Sequence, residues 1–216
     1  MYIPLAYING GGMCIRWFRD TLTGKPATAS YSELQAEAET VEPGSDGLIF
    51  IPHFSGRVLP NNPHMKGSFT GLDFKHTRGH MYRAIMEAIA YEYKYYLSVL
   101  RTLYPGNSFG EMLTVGGGSN SSLFNQIKAD VLGIPVTTLE TGDTSLLGSA
   151  VIAAVGTGIL SDYRQPIMQA VKKAAFYNPD MEKHKVYEAC AEAYLKAIEQ
   201  LSPLYYDNIS KSTNAN

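Results

Sequence analysis

The stretch Met112 to Gly133, "MLTVGGGSNSSLFNQIKADVLG", decides how the rest of the chain is read. A short apolar run rich in β-formers ends in three glycines, then small polar residues, then apolar positions Leu123, Ile127 and Val131 at helical spacing. The pattern is strand, bare turn, helix, with Ser119 or Asn120 as the expected N-cap and Gly133 as a left-handed stop. Glycine costs backbone entropy, so three in a row need a reason. Either the chain bends where a Cβ would clash, or a ligand lies against bare main chain. A helix opened by such a turn presents unpaired, electropositive N–H groups that suit a phosphate. The spacing is neither a P-loop, since no Lys-Ser or Lys-Thr follows, nor G-x-G-x-x-G, since Asn120 and Ser121 stand where that fingerprint needs glycine. From these residues alone, a tight turn and a nucleotide contact both stay open.

Working outward, "PVTTLE" is the next strand and "TSLLGSAVIAAVGTG" an apolar helix fit for burial against a sheet. "DMEKHKVYEACAEAYLKAIEQL" is a terminal amphipathic helix, followed by the polar tail "SKSTNAN", expected to fray. Upstream, Met81, Ile85, Ile89, Tyr93, Leu97 and Leu100 predict the longest helix, about Thr77 to Tyr104. Before it come a buried strand over Tyr2–Ile8, a helix in "MCIRWFRDTL" stopped by Gly24-Lys25-Pro26, and a helix in "SYSELQAEAETV" with Ser30 and Glu33 as a capping box. "GLIFIPHF" and "SFTGL" are strands on either side of a Pro- and Asn-rich loop, Ser55–Gly67. Alternation in the second half implies a partly parallel sheet covered by helices. The expected division is one domain over residues 1–208 and a disordered tail over 209–216.

A chain of 216 residues, 45% hydrophobic and 18% charged, can bury one substantial core. Its net charge of −2, with no basic run, argues against nucleic acid. No apolar stretch is long enough for a membrane span, and the N-terminus lacks a signal peptide's basic start. Cys14 and Cys190 are unpaired in sequence and fit a reducing compartment, so a cytoplasmic location is expected.

Several segments together resemble the FGGY carbohydrate kinases. "GSFTGLDFKHTRGHMYRAIMEAIAY" is similar to the family's second signature, with Gly67, Phe69, Gly71, Leu72, His80, Met81, Ala84, Ile85, Met86 and Glu87 in place. "GGGSNSSLFNQIKADVLGIPV" resembles the adenosine-binding turn, and "TSLLGSAVIAAVGTGIL", "NGGGMCIRWFRD" and "FIPHFSGRVLPNNP" match further stretches. The resemblance implies an α/β, ribonuclease-H-like and actin-like ATPase domain, the C-terminal lobe of a two-lobe sugar kinase. Such kinases move the γ-phosphoryl of ATP to a sugar or polyol hydroxyl with Mg²⁺. Their N-terminal domain holds the sugar site, most metal ligands and the aspartate base.

The nucleotide turn then maps onto Gly116, Gly117, Gly118, Ser119, Asn120 and Ser121, with Gly117 against the ribose or α-phosphate. Ser121 stands where some members place a base-contacting Asn. No residue is assigned as base: Asp73 and Asp143 are last-resort candidates beside the reading of capping or solvated aspartates. Glu87 is expected to bond a neighbouring loop, His80 to pack or cap, and Tyr91, Tyr93, Tyr95 and Tyr96 to pack. Gly10–Gly12 is read as a turn against the other lobe, and Asn61-Asn62-Pro63 as a structural turn, with a loop bordering the cleft as the alternative. The expected activity is phosphorylation of a pentulose such as xylulose, with gluconate, ribulose or glycerol as alternatives. The chain alone should be inactive, its partners ATP, the sugar and its own N-terminal domain, with a homodimer also possible. A stand-alone nucleotide-binding module, a split-kinase subunit and a purely structural domain remain alternatives.

Overall fold

The computed structural model describes residues 4–23 and 30–213, residues 206–213 as backbone only. Helix α1 (Gly11–Trp17) runs on into a π-helical turn, Phe18–Leu22. The expected stop at Gly24-Lys25-Pro26 lies outside the described residues, as do Tyr2 and Ile3. Helix α2 (Tyr31–Glu39) opens with the capping box read from the sequence: the Glu33 N–H donates to Ser30 Oγ at 3.2 Å and the Ser30 N–H to Glu33 Oε2 at 2.6 Å. Strands β1 (Ile49–Ile51) and β2 (Ser68–Thr70) form an antiparallel pair with Phe50 opposite Phe69, ring centroids 4.6 Å apart.

Helix α3 (Arg78–Leu103) is the spine. It is buried on all sides from Tyr82 to Glu92, packed by α1, α2 and β1 and by the later helices α4 (Ser122–Leu132) and α7 (Met181–Thr213). The core gathers Phe18, Leu34, Phe50, Met65, Ile85, Ile89, Ile127, Tyr187 and Tyr194. Each such side chain contributes roughly 1.5–3 kcal/mol by leaving water.

The second sheet has order β3 (Met112–Thr114), β4 (Val136–Leu139), β5 (Lys173–Tyr177), with β3 parallel to β4 and β5 antiparallel to it. The parallel pair follows the strand–turn–helix–strand reading. Strand β5 and helix α6 (Arg164–Ala170) were not legible. Helix α5 (Thr144–Gly156) forms where expected, but only Val151 is buried; Leu146 is 67% and Ile152 72% exposed.

Three further expectations are corrected. Pro4–Ile8 is not a strand: among the described residues no strand pairs with it, Leu5 is exposed, and the Tyr96 hydroxyl donates to the Tyr7 carbonyl at 3.1 Å. The longest helix is α7, 33 residues against 26 for α3, because it continues through Pro203. The cap of α4 is Ser121, since Ser119 and Asn120 are spent in a 3₁₀ turn. Residues 214–216, part of the expected tail, lie outside the described residues.

Candidate functional site: a groove beside the glycine turn

The glycine turn leaves β3 with Gly116 at φ 78°, ψ −171°, a conformation essentially reserved for glycine. The Gly116 N–H donates to the Gly142 carbonyl at 3.3 Å. Gly117–Asn120 then form the 3₁₀ turn, tied back by the Ser119 N–H and hydroxyl, both donating to the Gly116 carbonyl at 3.0 and 2.7 Å. Ser121 Oγ accepts from the Phe124 N–H at 3.2 Å and so caps α4. The three glycines are not equivalent. A Cβ on Gly117 would meet nothing within 4 Å, and one on Gly118 would only touch the Phe124 ring at 3.5 Å. The fold itself therefore requires glycine at 116 but not at 117 or 118. Of the two reasons glycines are used in such a turn, an internal clash is absent at these positions and access from outside is left.

That access opens onto a groove of about 890 Å³. Gly117, Gly118, Asn120 and Ser121 line one wall, Gly12, Met13 and Arg16 of α1 a second, and Tyr31, Gln35 and Glu39 of α2 a third. Gly116 and Ser119 lie in the same turn but are not among the lining residues. A clasp joins two walls: Ser121 Oγ donates to Gln35 Oε1 at 2.7 Å, and Gln35 Nε2 donates to Ser122 Oγ and Glu39 Oε1, each at 2.9 Å. The Ser121 hydroxyl is thus already engaged as cap and clasp. Beneath the turn, the ammonium of Lys128 donates to Thr114 Oγ1 at 2.9 Å and sits 4.4 Å from the centroid of the Phe124 ring. Lys128 is 2% exposed, and burial pushes its pKa down to about 8.

Sequence reasoning missed the α1 and α2 walls. The signal was there for α1: Gly10–Gly12 repeats the glycine-then-helix pattern but was read only as a packing turn. Gly10 packs within the chain itself, since a Cβ there would run into the Pro52 carbonyl, whereas Gly12 faces open space on the groove.

The remaining candidates lie outside the groove. Glu87, buried at 1% exposure, accepts from the Gly44 N–H at 3.0 Å and the Ser45 hydroxyl at 2.8 Å, the loop bond expected of it, and also from Arg83 Nε and the Tyr187 hydroxyl. It thereby holds a turn in which Gly44, Ser45, Asp46 and Gly47 all have positive φ. His80 caps α3, its Nδ1 accepting from the Thr77 N–H at 3.2 Å. Tyr91 packs between Tyr187 and Tyr194, and Tyr95 lies 5.0 Å from the Arg57 guanidinium. Asn62 pairs with Arg57 through backbone bonds and reaches Ser202 at 2.6 Å, a structural turn bordering a different cavity of about 650 Å³. The Asp73 carboxylate accepts from the Phe74 N–H within its own exposed turn. Asp143 precedes α5 beside Gly142, exposed and with no side-chain capping bond. Among the described residues, no three His, Cys, Asp or Glu gather to hold a metal, and no helix is long and apolar enough to cross a membrane.

The model of the C-terminal domain of the FGGY family of carbohydrate kinases matches residues 3–157. The chain belongs to this family. It is 25% identical over 207 residues to the xylulose kinase of Staphylococcus epidermidis, covering 95% of this chain and 41% of that one. It is 33% identical over 194 residues to the glycerol kinase of Variovorax paradoxus, covering 88% and 38%. Xylulose kinase from Rhodospirillum rubrum superposes with a TM-score of 0.77 at 31% identity, over 90% of this chain and 39% of that chain. Gluconate kinase from Lactobacillus acidophilus also reaches 0.77, at 24% identity, over 93% and 40%; this likeness concerns the fold alone. The fold is the α/β, actin-like ATPase lobe that the FGGY resemblance implied. The chain spans about two-fifths of the length of the curated relatives it matches.

Proposed function

We propose that this FGGY domain is the nucleotide-binding lobe of an ATP-dependent sugar kinase, with the nucleotide seated in the groove and its ribose or α-phosphate against Gly117. One observation carries the reading: Gly117 is bare although nothing in the chain would obstruct a side chain there. The groove fits the group. Its volume of about 890 Å³ lies within the range for small-molecule sites, with bare amides on one side and Met13 and Tyr31 as apolar surface on others. The N-terminal end of α4, directly after the turn, adds a positive field for phosphate.

In this reading the Gly116–Ser121 turn binds and orients the nucleotide through Gly117, Gly118, Asn120 and Ser121, which line the groove, while Gly116 and Ser119 shape the turn, and the α1 and α2 walls exclude water from its base. Bound Mg²⁺ would neutralise phosphate charge during transfer, its ligands supplied mainly by a preceding N-terminal lobe. That lobe would also bring the aspartate base and the sugar site, and would cover apolar side chains such as Leu146 and Ile152 that α5 leaves exposed. A second copy of the chain is the other occupant that could cover them. Residues 1–208 would act as the domain proper, in the cytoplasm, where ATP is made. A pentulose such as xylulose is the preferred acceptor, with gluconate, ribulose and glycerol behind it; the relatives include xylulose, glycerol and gluconate kinases.

Titration calorimetry with Mg-ATP, on the chain alone and mixed with a family N-terminal lobe, tests this. Binding without turnover by the chain, and sugar phosphorylation by the mixture, is the expected result. Absence of ATP binding in both settings, or phosphorylation of a pentose by the chain alone, overturns it.

A further inference from the structure

Lys128 is a buried cation that the reading above does not use. A lysine almost entirely out of water normally has a carboxylate partner, because desolvating an ammonium is costly. Here its bonded partner is a neutral hydroxyl, Thr114 Oγ1 at 2.9 Å, and its other close contact is the Phe124 ring. The titratable groups on the elements around α4 are engaged elsewhere. Glu111, just before β3, takes Lys173 of β5 and Thr137 of β4. Asp130, on α4 itself, takes Gln126 and the Asp180 N–H. From α3, Lys94 bonds the Val131 carbonyl and Glu188 of α7, while Glu87 and Glu92 hold Arg83 and Arg57. His184 of α7 faces the Asp130 carbonyl and Glu188. Among the described residues, no carboxylate is paired with Lys128.

Its position gives that charge a use. Long helical side chains lean toward the N-terminal end of their helix, and Lys128 does so, reaching Phe124 one turn back. Thr114 is the last residue of β3, two before Gly116, and the Phe124 ring is the surface that Gly118 lies against. The ammonium therefore grips the strand from which the turn springs and sits under the ring that floors it.

We propose that Lys128 is a positioning residue for the nucleotide: its buried ammonium supplies the fixed positive charge that holds the phosphates on the bare backbone of the turn. This rests on the nucleotide reading above. The consequence is a proton linkage. A phosphate brought near a partly titrating ammonium favours its charged form and raises its pKa, so binding takes up a proton above the free-state value. The phosphates themselves are fully ionised there.

ADP affinity should be measured by calorimetry from about pH 7.5 to about pH 9.5, in buffers of different ionisation enthalpy, on the 216-residue chain. The wild-type chain is expected to lose about five- to tenfold in affinity across that range and to take up a proton on binding near the middle of it. Lys128→Arg, charged throughout, should bind tightly with a flat profile. Lys128→Met should bind weakly at the lower pH with a flat profile. A wild-type profile that is flat, or a Lys128→Met profile that still falls, overturns the proposal. If Lys128→Met does not fold, wild-type proton uptake and the Lys128→Arg profile decide. No ADP binding at any pH overturns the nucleotide reading and this proposal with it; pH-independent binding overturns this proposal alone.

Discussion

Gly116, Gly117 and Gly118 look identical in sequence but stand in different surroundings. Gly116 satisfies a backbone angle, a Cβ on Gly118 would make only ordinary contact with the Phe124 ring, and one on Gly117 would meet nothing within 4 Å. Substitutions should separate them. Gly116→Ala is expected to cost about 1–3 kcal/mol, read as a lower urea midpoint, since its φ of 78° with extended ψ excludes a side chain. Gly117→Val should leave folding stability within about 0.5 kcal/mol while weakening ATP at least about tenfold by calorimetry. An unchanged ATP affinity would remove the ligand reading of that residue. Gly133 shows what was legible one residue at a time. Its place after a helical run marked it as a left-handed stop, and its φ is 66°. Which side of the Gly117 amide faces a groove was not legible, because the opposing wall, α2, is some eighty residues away in sequence.

At the scale of elements, α3 shows how a local signature acquires distant partners. Glu87 was legible as a helix residue bonded to a loop. Arg83, one turn back, stands at the i,i+4 spacing of a helical ion pair, whereas Tyr187, 100 residues on, was not legible, because nothing in so long a separation encodes the pairing. Glu87→Ala should cost about 3–5 kcal/mol in urea unfolding, since it leaves the buried Arg83 guanidinium without its carboxylate and the Gly44–Gly47 turn without its clamp. A loss below about 1 kcal/mol would mean the network is dispensable. Helix α5 teaches the converse. Its composition correctly gave a helix, but burial was inferred from hydrophobicity, and among the described residues nothing covers most of it. Composition records that a surface is to be covered, not whether the cover belongs to the same chain. The small β5 and α6 escaped for another reason: "KAAFY" and "RQPIMQA" are too short to establish a period.

Across the whole molecule, two carboxylates of α3 anchor the last helix. Glu92 mirrors Glu87: its Oε1 accepts from Arg57 and from the Tyr194 hydroxyl, both at 2.9 Å, with His53 Nε2 at 3.4 Å. Burial alone would raise the Glu92 pKa, but these partners together hold it below the ordinary value of 4.5. A carboxylate with a depressed folded pKa contributes stability that is complete above its unfolded pKa and is lost as pH falls through the folded value. Urea midpoints measured downward from about pH 6 should therefore decline below about pH 4.5, and Glu92→Gln should flatten part of that decline. An identical acid slope in the variant would show that Glu92 plays no part.

The reach of α7 has a consequence for where this domain may be cut. The family match stops at residue 157, which invites a shorter chain ending there. Such a truncation would strip Tyr187, Tyr194 and Ile198 from the core and strand Glu87 and Glu92 without their phenol partners. The family model's match ends at residue 157, but the folding unit does not. A chain stopped after Gly158 should yield insoluble protein or a loose globule with weak near-ultraviolet dichroism, whereas one kept through Tyr205 should melt cooperatively.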